Sequence, residues 1–197
     1  MSAGRVQAGA VTSVGALFGW LVAGPVGAAL GAAASLLVAI PYGRAITQCR
    51  PYERNARGVA LCVLDATWGA INTWAGALFL VALSRRGNRV ETDRSVGSGT
   101  VFLCDQAIAG YATTIGIVKA GCAPRLARHE QIHVFQARLL GPLYLPLVGL
   151  GFVVATLVPY WLVTPSGRRR SVVGFATYFT RGVYPNTWHE WWAYRRG

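Results

Sequence analysis

The sequence has little acid and little histidine. Its 197 residues include seven Asp and Glu and three His, and charged residues make up 13% of the total, about half the usual share of a soluble domain. Alongside 53% hydrophobic residues, that scarcity argues against an ordinary soluble fold and for a membrane protein. Cysteine is sparse too. Cys49, Cys62, Cys104 and Cys122 contain no C-x-x-C pair. That excludes a Cys-rich zinc site and speaks against a disulfide framework, so buried free thiols are expected. No internal repeat stands out beyond a Gly- and Ala-rich N-terminal stretch.

Positive charge is plentiful by contrast. The net charge is +12, almost all from Arg. A nucleic-acid binder would set such Arg among polar residues. Here they cluster at the ends of apolar runs, in 44–57, 85–94 and 168–170, where they would meet lipid headgroups. The expected partner is a lipid bilayer, with no nucleic acid. The expected location is integral to a membrane, the inner (plasma) membrane of a bacterium.

Three apolar runs follow. The first, 6–40, is too long for a signal h-region and reads as a retained anchor. As one helix it would extend about 50 Å, against roughly 30 Å of bilayer core. Gly24-Pro25 offers a break, so a tight helical hairpin or a kinked helix is expected. Gly15 and Gly19, then Gly27 and Gly31, are small residues four apart that would let helices approach closely. The second run, 58–83, is long enough to span and carries Asp65. An ion pair between Asp65 and an Arg is the leading expectation. Its alternatives are a place facing the metal site or the orientation of a ligand histidine. The third run, 143–163, is broken by Pro and Gly. Residues 100–103 and 112–119 are rich in β-branched and aromatic types and read as strands forming a short hairpin.

Against this background, His129-Glu130-Gln131-Ile132-His133 reads H-E-x-x-H. On a helix, His129 and His133 lie one turn apart on one face and can offer two imidazole nitrogens to one metal ion. Glu130 borders that face, where a carboxylate can accept a proton from an activated water. Pro124 suits a first helical turn, 125–140 holds no further Pro or Gly, and Gly141-Pro142 ends the run. Two histidines do not complete a catalytic zinc site, which takes three protein ligands. Glu190, His189, Asp105 and Asp65 are the candidates for the third.

The order H-E-x-x-H, apolar segment, then Glu190 in Glu190-x-x-Ala193 resembles the gluzincin metallopeptidases. It is most similar to their integral-membrane branch, which includes the CAAX-processing and heat-shock membrane peptidases. The resemblance implies that His129, His133 and Glu190 bind Zn2+ and that Glu130 is the general base. With Glu190 as ligand, His189 would stabilise the oxyanion, as could Tyr184 or Arg181. Strand 112–119 would be the edge along which an extended peptide or membrane-protein substrate pairs. The fold class expected is a mainly α membrane protein with a small β element (α+β), its zincin-like helix preceded by a short β-hairpin. Residues 1–83 would form a membrane anchor, a hairpin or kinked helix plus one apolar helix. Residues 84–197 would form the metal-site region, with 141–163 embedded in it.

A topological tension accompanies this expectation. If 143–163 crosses a bilayer fully, Glu190 emerges on the side opposite His129. The run would have to be re-entrant, or be packed within the protein with the chain looping back along it, or Glu190 is not a ligand. The functional expectation is a membrane zinc metallopeptidase. The alternatives are a non-catalytic membrane protein with a structural or vestigial metal site, and a basic membrane-anchored interaction protein that binds no metal.

Overall fold

The computed structural model describes residues 2–159 and 174–197. The Arg cluster at 168–170, and the end of the third apolar run, lie outside them. The chain begins with α1, Ala3–Cys49, which is broken at Ala23 and Gly24 by non-helical backbone angles. Gly24 has φ +59°, a conformation that favours glycine. The two arms fold back on one another. A Cβ placed on Gly19 would fall 1.9 Å from the carbonyl oxygen of Gly27, and one on Gly31 would fall 2.2 Å from that of Gly15. The glycines therefore allow backbone-to-backbone packing, and of the two expected forms the hairpin is the one found. Leu21, Val22, Val26 and Leu30 around its tip are exposed.

The second apolar run is not one helix. It divides into α2, Ala56–Ala66, and α3, Ala70–Arg85, bent by 87° at the break. This corrects the expectation of one apolar helix. A buried ion pair lies at the bend. Asp65, just before it, is buried and receives Nε and Nη2 of Arg138 at 2.9 and 2.8 Å and the Tyr52 hydroxyl at 3.0 Å. Thr73 Oγ1 donates to the Asp65 carbonyl at 2.7 Å. At the bend one buried carboxylate is thus matched by a cation from a distant helix.

A short helix, α4 (Thr92–Ser95), leads into three strands, β1 (Val101–Leu103), β2 (Thr113–Ile115) and β3 (Val118–Ala120). Their order is β1-β3-β2. β2 and β3 form an antiparallel hairpin, while β1 runs parallel to β3. The hairpin thus lies within 112–120, and residues 100–103 join it by a non-local pairing. The metal-motif helix, α5 (Ala127–Leu140), follows a 3-10 turn at Pro124–Leu126 and ends at Gly141. Asn72 of α3 donates to the carbonyls of Ala137 and Gly141 at 3.0 and 2.8 Å, satisfying terminal acceptors that the helix leaves open.

The next helix, α6 (Tyr144–Leu157), precedes a π-helical turn, Tyr178–Val183, and the C-terminal helix, Trp188–Arg196. The chain returns along α6. Trp188 Nε1 donates to the Leu147 carbonyl at 2.9 Å, and the Tyr178 hydroxyl donates to that of Thr156 at 2.6 Å. The return is the looping back named among the expectations, although α6 buries only Tyr144 and Ala155 and is not packed within the protein. It brings residues 188–190 back to α5. The main core runs from Val11 and Tyr42 through Leu80, Val101 and Val118 to Val134, and a smaller cluster holds Phe102, Ala112 and Cys122. Ala3–Cys49 and Pro124–Leu157 are each long and apolar enough to cross a membrane, and the bent α2–α3 pair would add a third if counted as one span. Cys49, Cys62 and Cys122 are buried free thiols, as expected, but Cys104 is exposed.

Candidate metal centre

The buried face of α5 carries His129, Glu130, His133, Val134, Gln136 and Ala137, the i, i+4, i+7 stripe that the motif requires. The C-terminal helix packs against this face and presents Glu190. His129 Nε2 lies 3.2 Å from Glu190 Oε2, and His133 Nε2 lies 3.4 Å from Glu190 Oε1. The two Nε2 atoms are 3.1 Å apart. All three residues are buried. Ligand atoms set tetrahedrally at 2.0–2.1 Å from a zinc ion are about 3.3–3.4 Å from one another. Glu190 meets the two histidines through different oxygens, and one donor atom from each of the three residues lies within 4.8 Å of the others, so the donor set fits a zinc ion in kind and number and is close to it in separation.

The surroundings are largely apolar and open on one side. A cavity of about 410 Å³ opens beside the cluster. Glu130, His133, His189, Tyr184 and Glu190 line it, together with β2 and aromatic or aliphatic residues of α6 such as Phe152. β2 is an edge of the sheet, so one row of its backbone groups is open to a partner. Glu130 is buried and accepts a short hydrogen bond from the hydroxyl of Thr114 on β2. Burial alone would raise the Glu190 carboxyl, but the neighbouring His129 and His133 rings, with Tyr184, hold it well below the usual carboxylate range. Burial pushes the His189 imidazole down to about 4 and the Tyr184 hydroxyl well above its ordinary value. At neutral pH His189 is therefore an uncharged ring and Tyr184 keeps its proton.

Of the candidates for a third ligand, only Glu190 reaches both histidines. His189 Nε2 stands 3.8 Å from Glu190 Oε1 and its Nδ1 has no partner among the described residues. Asp65 is committed to Arg138. Asp105 is exposed in a loop, where its carbonyl accepts from Asn88. Arg181 is exposed and does not line the cavity, whereas Tyr184 does. Two further residues belong to the site without having been singled out. Thr114 could be found only by knowing which strand faces Glu130. Gln136 follows His133 by three positions, on the same helical face, and its polar side chain there was the available signal. No family model, curated protein or solved structure matches the chain.

Proposed function

We propose that this protein is an integral-membrane zinc metallopeptidase. The observation that carries the reading is the convergence of His129, His133 and Glu190, with donor atoms within 4.8 Å of one another, in a buried site with Glu130 beside it. When bound there, zinc would supply Lewis-acid polarisation of a carbonyl and would lower the pKa of water.

The chain's own residues supply the rest. Glu130, held by the Thr114 hydroxyl on the cavity wall, is placed to accept the proton of the attacking water and pass it to the leaving amine. The open edge of β2 can pair with an extended peptide by main-chain hydrogen bonds. The His189 ring, on the cavity, is one candidate donor to a developing oxyanion, while the Tyr184 hydroxyl, also on the cavity, hydrogen-bonds the Glu190 carboxylate. Membrane residence is supported by the two long apolar helical segments and by the exposed Leu, Val and Trp around the hairpin tip. The exposed outer face of α6, including Leu150, Val153 and Leu157, adds to that apolar surface.

Metal analysis of the detergent-purified protein tests the reading, together with cleavage of an unfolded protein substrate. One zinc per chain is expected, lost in His129→Ala and in His133→Ala. Glu130→Gln should keep the zinc and end cleavage. Zinc without cleavage in the unmodified protein would favour a structural metal site, and no zinc would favour the interaction protein. Carbonate extraction should leave the chain in the membrane pellet, and its release into the supernatant would count against the membrane assignment.

A further inference from the structure

The structure assigns Gln136 as a positioning residue that fixes the tautomer of His133, so that its Nε2 points a lone pair at the metal site. Gln136 is fully buried. Its Nε2 donates to the main-chain carbonyl of His189 at 2.9 Å. A carbonyl can only accept, so the NH2 end of the amide must face His189 and the oxygen must face the other way. That oxygen, Oε1, lies 3.0 Å from His133 Nδ1. An amide oxygen cannot donate, so His133 Nδ1 must carry a proton. In the neutral ring the proton is then absent from Nε2, the atom 3.4 Å from Glu190 Oε1 and 3.1 Å from His129 Nε2.

The chain of constraint therefore runs from the backbone of the C-terminal helix, through one amide, to the lone pair of a ligand atom. Without it, His133 could place its proton on Nε2 and donate to the Glu190 carboxylate. That would leave a self-satisfied pair in which Nε2 is blocked. A metal-ligating histidine commonly has its second nitrogen held by an acceptor in this way, and losing such a partner typically weakens metal binding 10–100-fold. The tautomer assignment stands on the hydrogen bonds alone. Only its consequence for zinc rests on the proposed function.

The test uses the full chain in detergent, with 15N-labelled histidine rings. In the metal-free protein at alkaline pH, where imidazoles are neutral, His133 should be protonated on Nδ1. Gln136→Met, of similar length but without an acceptor, should move the proton to Nε2. Gln136→Glu restores an acceptor and should restore the Nδ1–H form, which a merely structural role for the amide would not predict. The zinc dissociation constant, read by chelator competition, should rise 10–100-fold in Gln136→Met. An Nε2–H tautomer in the unmodified protein would overturn the proposal, as would an unchanged tautomer in Gln136→Met. If the unmodified protein binds no zinc, the metallopeptidase reading fails while the ring tautomers still decide the role of Gln136.

Discussion

Two carboxylates sit equally deep in this protein and are treated in opposite ways. Asp65 is 2% exposed and Glu190 is 3% exposed. Either would be costly to bury without compensation. Asp65 receives a guanidinium in fork geometry plus a tyrosine hydroxyl, so its charge is matched within the chain. Among the described residues Glu190 has no Arg or Lys in its ion-pair contacts, only His129, His133 and His189. The first arrangement is closed and lies at a helix junction. The second gathers lone-pair donors around one point beside a cavity. Similar burial with dissimilar partners separates a carboxylate that holds the fold from one that can take a cation.

The largest expected effect tests that separation directly. A ligand that binds only the folded state stabilises it by about 4 kcal/mol at a thousand times its dissociation constant. Zinc added to the metal-free protein should therefore raise its melting temperature by many degrees. Glu190→Gln should abolish the rise. Asp65→Asn should lower the starting melting temperature yet keep the rise. If both variants respond to zinc alike, the two carboxylates are not functionally distinct and the comparison fails.

Next in size is the cost of breaking the closed pair. Asp65→Asn leaves the Arg138 charge buried with weaker acceptors, and breaking such a pair typically costs 3–5 kcal/mol. Replacing both partners with apolar residues, Asp65→Leu with Arg138→Met, removes the stranded charge. The double variant should recover most of the loss in thermal unfolding. A double variant no more stable than Asp65→Asn would mean that the pair does more than neutralise charge. One such role is fixing the 87° bend between α2 and α3.

The sequence disclosed one of these carboxylate environments more readily than the other, for physical reasons. His129, His133 and Glu190 are legible because their residue types are rare here and the H-E-x-x-H spacing encodes a shared helical face. The hairpin in α1 is legible because Gly24-Pro25 is a strong local breaker inside a run too long for one span. The α2–α3 bend is not, because Thr67-Trp68-Gly69 holds no proline and the ion pair beside it joins Asp65 to Arg138, 73 residues away. The parallel β1–β3 pairing and the Thr114–Glu130 contact are likewise products of tertiary contact. Periodicity reports which face of an element is apolar, not which distant side chain will meet it.

A third buried charge sharpens the comparison from the cationic side, with a smaller effect. Lys119, on β3, is 1% exposed. Its Nζ donates to Gln131 Oε1 at 2.6 Å and lies 5.0 Å from the centre of the Phe102 ring. It forms no ion pair among the described residues. It is therefore partly solvated by an amide and a ring face, but not neutralised as Asp65 is. Burial lowers its pKa from 10.5 to about 8, with the nearby Glu130 charge acting in the opposite direction. Below pH 8 both the folded and unfolded chains carry the proton, and the folded state bears the full cost of the buried charge. Between about 8 and 10.5 the unfolded chain still binds the proton and the folded chain does not. Stability should thus rise with pH across that window, by on the order of 3 kcal/mol at most. Lys119→Met removes the titrating group, so its melting temperature should lack this rise while other groups titrate as before. The difference between the two proteins, plotted against pH, isolates the lysine. A difference that stays constant from pH 7 to 10.5 would mean that Lys119 is neutralised in the fold after all, with Glu130 as its partner, and that buried charges here are always closed by the chain itself.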